Sequence, residues 1–133
     1  MAEKMSKPNL VYAHICDDVR FETGDKVSLM GLFDRIFAPN FPAMHPRFVV
    51  IAAWSGAAGE FSSEILLERP DGKVETLGSA KFELPNEKRT HRHIAVNLNW
   101  RIDSPGIHQV RIKLDSTLVK SLPLTVEHSG TVQ

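Results

Sequence analysis

The residues best suited to chemistry stand at the end of the first apolar run. Cys16-Asp17-Asp18-Val19-Arg20 sets a thiol, two carboxylates and a guanidinium side by side, and Asp34-Arg35 adds another acid and base further on. Carboxylates beside a thiol are the materials of a metal site or an acid–base centre. Neighbours on an extended strand point to opposite faces, so Asp17 and Asp18 cannot hold one ion together without a bulge or turn. The plainer expectation is a set of ion pairs with Arg20 and Arg35 at a sheet edge, because partly buried carboxylates need partners. Asp17, Asp18, Arg20, Asp34 and Arg35 are thus the candidate ligand-binding residues, with structural pairing as their competing role. A nucleophilic Cys16 would need an electropositive setting. Flanking acids work against that, and a small buried apolar role is expected instead.

His91 and His93 form the second candidate. On a strand they share a face and could clamp a divalent ion. A usable site needs a third ligand, and Asn97 and Asn99 on the same face are poor ones. His14, His108, His128 or an aspartate would have to approach from elsewhere. A wet polar face is the simpler expectation, so no metal and no cofactor is assigned. Around these histidines lies a basic cluster of Lys88, Arg89, Arg92 and Arg101, diluted by Glu83 and Glu87. Outward aromatics, on which single-stranded nucleic acid would stack, are missing from it. There is no Gly-x-Ser-x-Gly elbow. Gly56-Ala57-Ala58-Gly59 lacks the lysine of a phosphate loop and reads as a turn.

Composition narrows the classes further. Sixteen basic residues balance sixteen acidic ones, without the basic excess of a general nucleic-acid or anionic-membrane binder. The single Cys16 excludes an intramolecular disulfide and suits a reducing compartment. The apolar run 10–16 is too short and polar for a signal-peptide core or a membrane span. A cytoplasmic protein is expected.

The elements that must position these groups follow a period of two, the mark of half-buried antiparallel strands. Ile94, Val96, Leu98, Trp100 and Ile102 are expected inward, with His91, His93, Ala95, Asn97, Asn99 and Arg101 opposite. Val110, Ile112 and Leu114 alternate with Arg111 and Lys113. Leu118, Leu122, Leu124 and Val126 face one way, with Lys120 the exception. Further strands are read at 10–16, 27–37, 48–54, 60–67 and 74–84, of which 48–54 is apolar on both faces, as in a central strand. Gly24-Asp25, Pro70-Asp71-Gly72 and Ser104-Pro105-Gly106 supply turns. Pro39, Pro42 and Pro46 forbid regular pairing and suit a stiff linker between sheets. Gly31 and Gly78, inside strands, mark a bulge or a close approach, while Phe41 and Met44 are expected to plug one end. Together these predict an all-β, antiparallel β-sandwich of seven or eight strands. One domain spans 9–127, with flexible termini at 1–8 and 128–133.

Cys16 to Arg20, Leu29-Met30-Gly31-Leu32-Phe33-Asp34, Phe41-Pro42, His45-Pro46-Arg47 and Trp54-Ser55-Gly56 resemble a family of small uncharacterised bacterial proteins with a Cys-Asp-Asp-Val-Arg opening. The likeness extends to the stretch from Pro105-Gly106 through Pro123 to Val126. It implies a bacterial, cytoplasmic protein and no substrate. The C-terminal rhythm, a Pro-Gly turn leading into two alternating strands, is similar to the last hairpin of immunoglobulin-like domains. The functional expectation is a non-enzymatic interaction module that binds a protein partner, or itself, through an edge strand or loop end. Nucleic acid and membrane are not expected as partners. The rival is a small metal-dependent enzyme or metal-binding protein built on His91 and His93.

Overall fold

A computed structural model describes residues 6–130. They form β1 (Asn9–Glu22), β2 (Lys26–Leu32), β3 (Arg35–Ala38), β4 (Ala43–Ser55), β5 (Gly59–Glu68), β6 (Val74–Leu84), β7 (Thr90–Ile102), β8 (Gly106–Leu114) and β9 (Thr117–His128), with no helix among the described residues. One sheet has the order β2-β1-β4-β7 and the other β3-β9-β8-β5-β6. All pairings are antiparallel except β3 with β9, which is parallel. The count is nine rather than seven or eight because the segment read as one strand over 27–37 is two. The chain leaves the first sheet at Phe33-Asp34 and enters the second as β3.

Alternation builds the core between the sheets. Phe61, Ile65 and Leu67 from β5 and Val110, Ile112 and Leu114 from β8 meet Ile15, Phe48, Val50, Ala52 and Trp54 from the other sheet. Each fully buried aliphatic or aromatic side chain contributes about 1.5–3 kcal/mol of transfer free energy. Within this core Trp54 Nε1 donates to Ser63 Oγ at 3.0 Å, and Ser63 Oγ lies 2.7 Å from His93 Nδ1. Indole can only donate, so the serine accepts from Trp54 while also sharing a hydrogen bond with His93 Nδ1. The relay joins β4, β5 and β7 and satisfies buried polar atoms that would otherwise destabilise the fold.

β7 corrects the expected facing. His93 and Ala95 are buried, whereas Val96 and Leu98 are exposed. The ladder with β4 skips Pro46 and Asn99, and Asn99 has φ of 52°. Both strands change face there together, so Trp100 and Ile102 join Ala43 in the core although Leu98 does not. Leu118 is also outside the core, 47 % exposed, because the β8–β9 register shifts between Ile112 and Lys113. Residues 39–42 do pass from one sheet to the other, but Pro46 lies inside β4. Phe41 packs on the core, whereas Met44 is exposed.

A third layer covers part of the first sheet. Val49, Ile51 and Ala53 alternate with the core-facing residues of β4 and so point away from the core, yet each is 0 % exposed. β1 leaves β4 at the Cys16–Val49 pair and continues as a hairpin arm with β2. The arm's tip reaches Arg92 of β7, whose guanidinium donates to the Asp25 carbonyl at 3.0 Å. Arg92 is paired to Ala53, and β4 separates β1 from β7. The arm must therefore double back across β4. Gly31, at φ +68°, has the Asp17 carboxylate where a Cβ would go, so a side chain at the arm's root would strain the backbone and displace Asp17.

At the chain ends, Pro8 is buried, Lys7 pairs with Asp115, and Ser129 N–H donates to the Ala38 carbonyl at 2.8 Å. The rest of the expected flexible termini, 1–5 and 131–133, lies outside the described residues.

Candidate functional site

The acidic opening lies at the root of the arm, and its members are kept apart. Asp17 and Asp18 face opposite sides, Asp17 beside Gly31 and Asp18 on Arg47, whose Nη2 donates to its Oδ1 at 2.8 Å. That hydrogen bond holds the Asp18 carboxyl below the usual carboxylate range, helped by the Val19 N–H. Arg35 pairs with Glu127 at 2.7 Å, on the opposite sheet. Arg20 and Asp34 have no ion-pair partner among the described residues. Of the expected network of Asp17 and Asp18 with Arg20 and Arg35, Asp18 and Arg35 pair instead with Arg47 and Glu127 from other strands, and Asp17, like Arg20, has no ion pair among the described residues. Burial pushes the Cys16 thiol up, and the flanking carboxylates add to it. Such a thiol is a poor nucleophile.

The histidines are structural in their contacts. His91 stacks on Phe82 at 4.3 Å with rings 5° apart, and His93 is held by Ser63. Burial lowers the pKa of both, and for His93 the neighbouring His91 lowers it further. Gly78 makes room for His93 and Ala95: a Cβ there would lie 2.9 Å from the Ala95 methyl and 3.2 Å from His93 Nε2. Ser63 and His93 have the polarity of a nucleophile and its base, but Ser63 is 0 % exposed, so no substrate reaches it. Among the described residues no three His, Cys, Asp or Glu side chains are grouped to hold a metal ion. The expected basic cluster is dispersed as well, since Arg92 is held at the arm's tip and Arg101 pairs with Asp103 at 2.8 Å.

The open site is a notch that the sequence did not announce. β2 pairs with β1 only from Cys16 onward, so residues 9–14 of β1 have β4 on one side and, among the described residues, no strand on the other. β3 likewise pairs with β9 only over Thr125–His128, leaving residues 117–124 without a strand on that side among the described residues. Between the two free edges lies a cavity of about 380 Å³ lined by Ala13, Ile15, Leu32, Phe33, Leu122 and Pro123, with His14 and Asp34 also lining it. The Phe33-Asp34 crossover roofs it: Phe33 N–H donates to the Ile15 carbonyl at 3.0 Å, and Thr125 N–H donates to the Asp34 carbonyl at 2.9 Å. A sequence signal existed in part, since Phe33-Asp34 interrupts an otherwise alternating run. Which edges that interruption frees depends on long-range pairing.

These features define a class: an all-β protein of two packed sheets with a vacated strand position at one side and no assembled catalytic set among the described residues. The chain belongs to the family of unknown function DUF6941, which matches residues 11–127. A comparison with curated proteins finds no match. Among solved structures, β-glucosidase 3B from Thermotoga neapolitana in complex with glucose is similar, at 14% identity and a TM-score of 0.50 over 88% of this chain and 16% of that one. The β-glucosidase from Listeria innocua in complex with isofagomine is similar at 13% identity and 0.51, over 92% of this chain and 17% of that one. This chain spans about a sixth of those enzymes' length, and the likeness is one of fold alone. No helix among the described residues is long and apolar enough to cross a membrane.

Proposed function

We propose that this chain is a non-enzymatic interaction module, an immunoglobulin-like β-sandwich that binds a protein segment at the notch beside β1. The vacated strand position carries the reading, because an unpaired edge presents a row of backbone donors and acceptors to an incoming strand. The immunoglobulin-like assignment is supported by topology: β4 and β7 share one sheet while β5, β8 and β9 are neighbours in the other, as strands B and E oppose C, F and G in that architecture. The lone thiol and the resemblance of the Cys16–Arg20 segment to small bacterial proteins support a bacterial, cytoplasmic setting.

The test is selection of displayed random peptides on the immobilised protein, followed by amide hydrogen exchange with each enriched peptide. Enriched peptides that slow exchange at residues 10–14 support the module. Failure of any peptide to be enriched, or protection that spares this edge, overturns it.

A further inference from the structure

Resting on that reading, we infer that the notch takes an extended segment that adds antiparallel to β1 and carries a basic residue two positions before an apolar one. The two free edges are not equivalent. Pro123 lacks an N–H and Lys120 places a charge on β9, both of them devices that discourage strand addition. Residues 10–14 of β1, Leu-Val-Tyr-Ala-His, contain neither proline nor formal charge. The β1–β4 ladder shifts between Leu10 and Tyr12 and the Ile15 carbonyl already accepts from Phe33, which confines a regular added ladder to the Tyr12–His14 stretch.

Direction and side-chain order follow from β2. It runs antiparallel to β1, and its line ends when Phe33 makes the last bond to Ile15. A segment that continues this line beside β1 has its N-terminal end under the crossover. One side chain then enters the apolar cavity between Ala13, Ile15, Leu122 and Pro123. The same-face residue two positions earlier lies toward the roof. Asp34 stands there, exposed and without an ion-pair partner among the described residues. Its charge is the complement of a lysine or arginine at that position.

Two pools of extended octapeptides test the inference, one with a fixed Lys-x-Leu and the other with Glu-x-Leu at the same positions, the rest randomised from Thr, Ser and Val. Fluorescence anisotropy is read on wild type and on Asp34→Asn, with hydrogen exchange at residues 12–14. The lysine pool is expected to bind more tightly and to slow exchange there. Asp34→Asn should weaken it about three- to five-fold, the scale of a partly exposed ion pair, and leave the glutamate pool unchanged or improved. If peptides selected by display bind this edge but the lysine pool has no advantage, or Asp34→Asn has no effect, the inference falls and the module stands. If no peptide from either pool or from display protects the edge, the module falls with it.

Discussion

The two sheets treat their outer faces in opposite ways. On the five-stranded sheet the outward positions of β5 and β8 are mostly polar, with Leu66 and Ile107 the exceptions. Arg111 Nε donates to Glu68 at 2.8 Å, and Glu64 stands opposite Lys113 in the ladder. On the four-stranded sheet the outward positions of β4 are Val49, Ile51 and Ala53, as dry as the core itself. Alternation tells that a strand has two environments; it does not tell which of them is water. The arm turns an outside into a second inside, and the sequence pays no visible tribute to it beyond an apolar run on both faces.

The largest effect should come from cutting into that second interior. Ile51→Ala is expected to cost about 2–5 kcal/mol in urea unfolding, as for any buried aliphatic truncation. Lys113→Ala, on the wet sheet, should stay within about 0.5 kcal/mol. Equal, small effects at the two positions would mean that the arm leaves Ile51 uncovered, and the contrast would be lost.

Acid should sharpen the comparison next. Burial lowers the pKa of His45, His91, His93 and His108, three of them on the four-stranded sheet. The unfolded chain therefore takes up protons first as pH falls below the ordinary value of 6.5. Stability is complete above that value and declines as pH falls through it toward the lower folded values. Thermal melts between pH 8 and 5 should show a plateau and then a falling Tm. His93→Gln should shallow the fall; an unchanged slope would remove His93 from the account.

The smallest change in stability, with the clearest local readout, belongs to the arm's tip. Arg92→Ala removes an exposed tether worth about 0.2–1 kcal/mol. Cys16, the only thiol and 0 % exposed, lies where the arm leaves β4. Its labelling by a thiol reagent should accelerate in the variant while global unfolding hardly moves. Identical labelling rates would show that the tip does not hold the arm down.

Legibility followed the range of the interactions. The middle of β8 could be read position by position, with Val110, Ile112 and Leu114 inward and Arg111 and Lys113 outward, because it alternates between a core and open water. β7 could not. Its inward histidines look like a polar surface until Ser63 and Phe82, on other strands, provide their partners. The paired change of face at Pro46 and Asn99 then reverses the expected sides. Asp17, Asp18 and Arg35 were found as charges, but Arg47 and Glu127 became partners through folding alone. The notch was invisible for the same reason, since an unpaired edge is a property of neighbours and not of a segment.

The parallel rung between β3 and β9 also sets a timetable for the growing polypeptide. It brings Arg35 to Glu127, 92 positions away, so β3 leaves the ribosome long before its mate has been made. Contacts of such separation slow self-assembly, and synthesis at about 5–20 residues per second adds several seconds of waiting. Throughout that interval the nascent molecule is a clasp with one half missing.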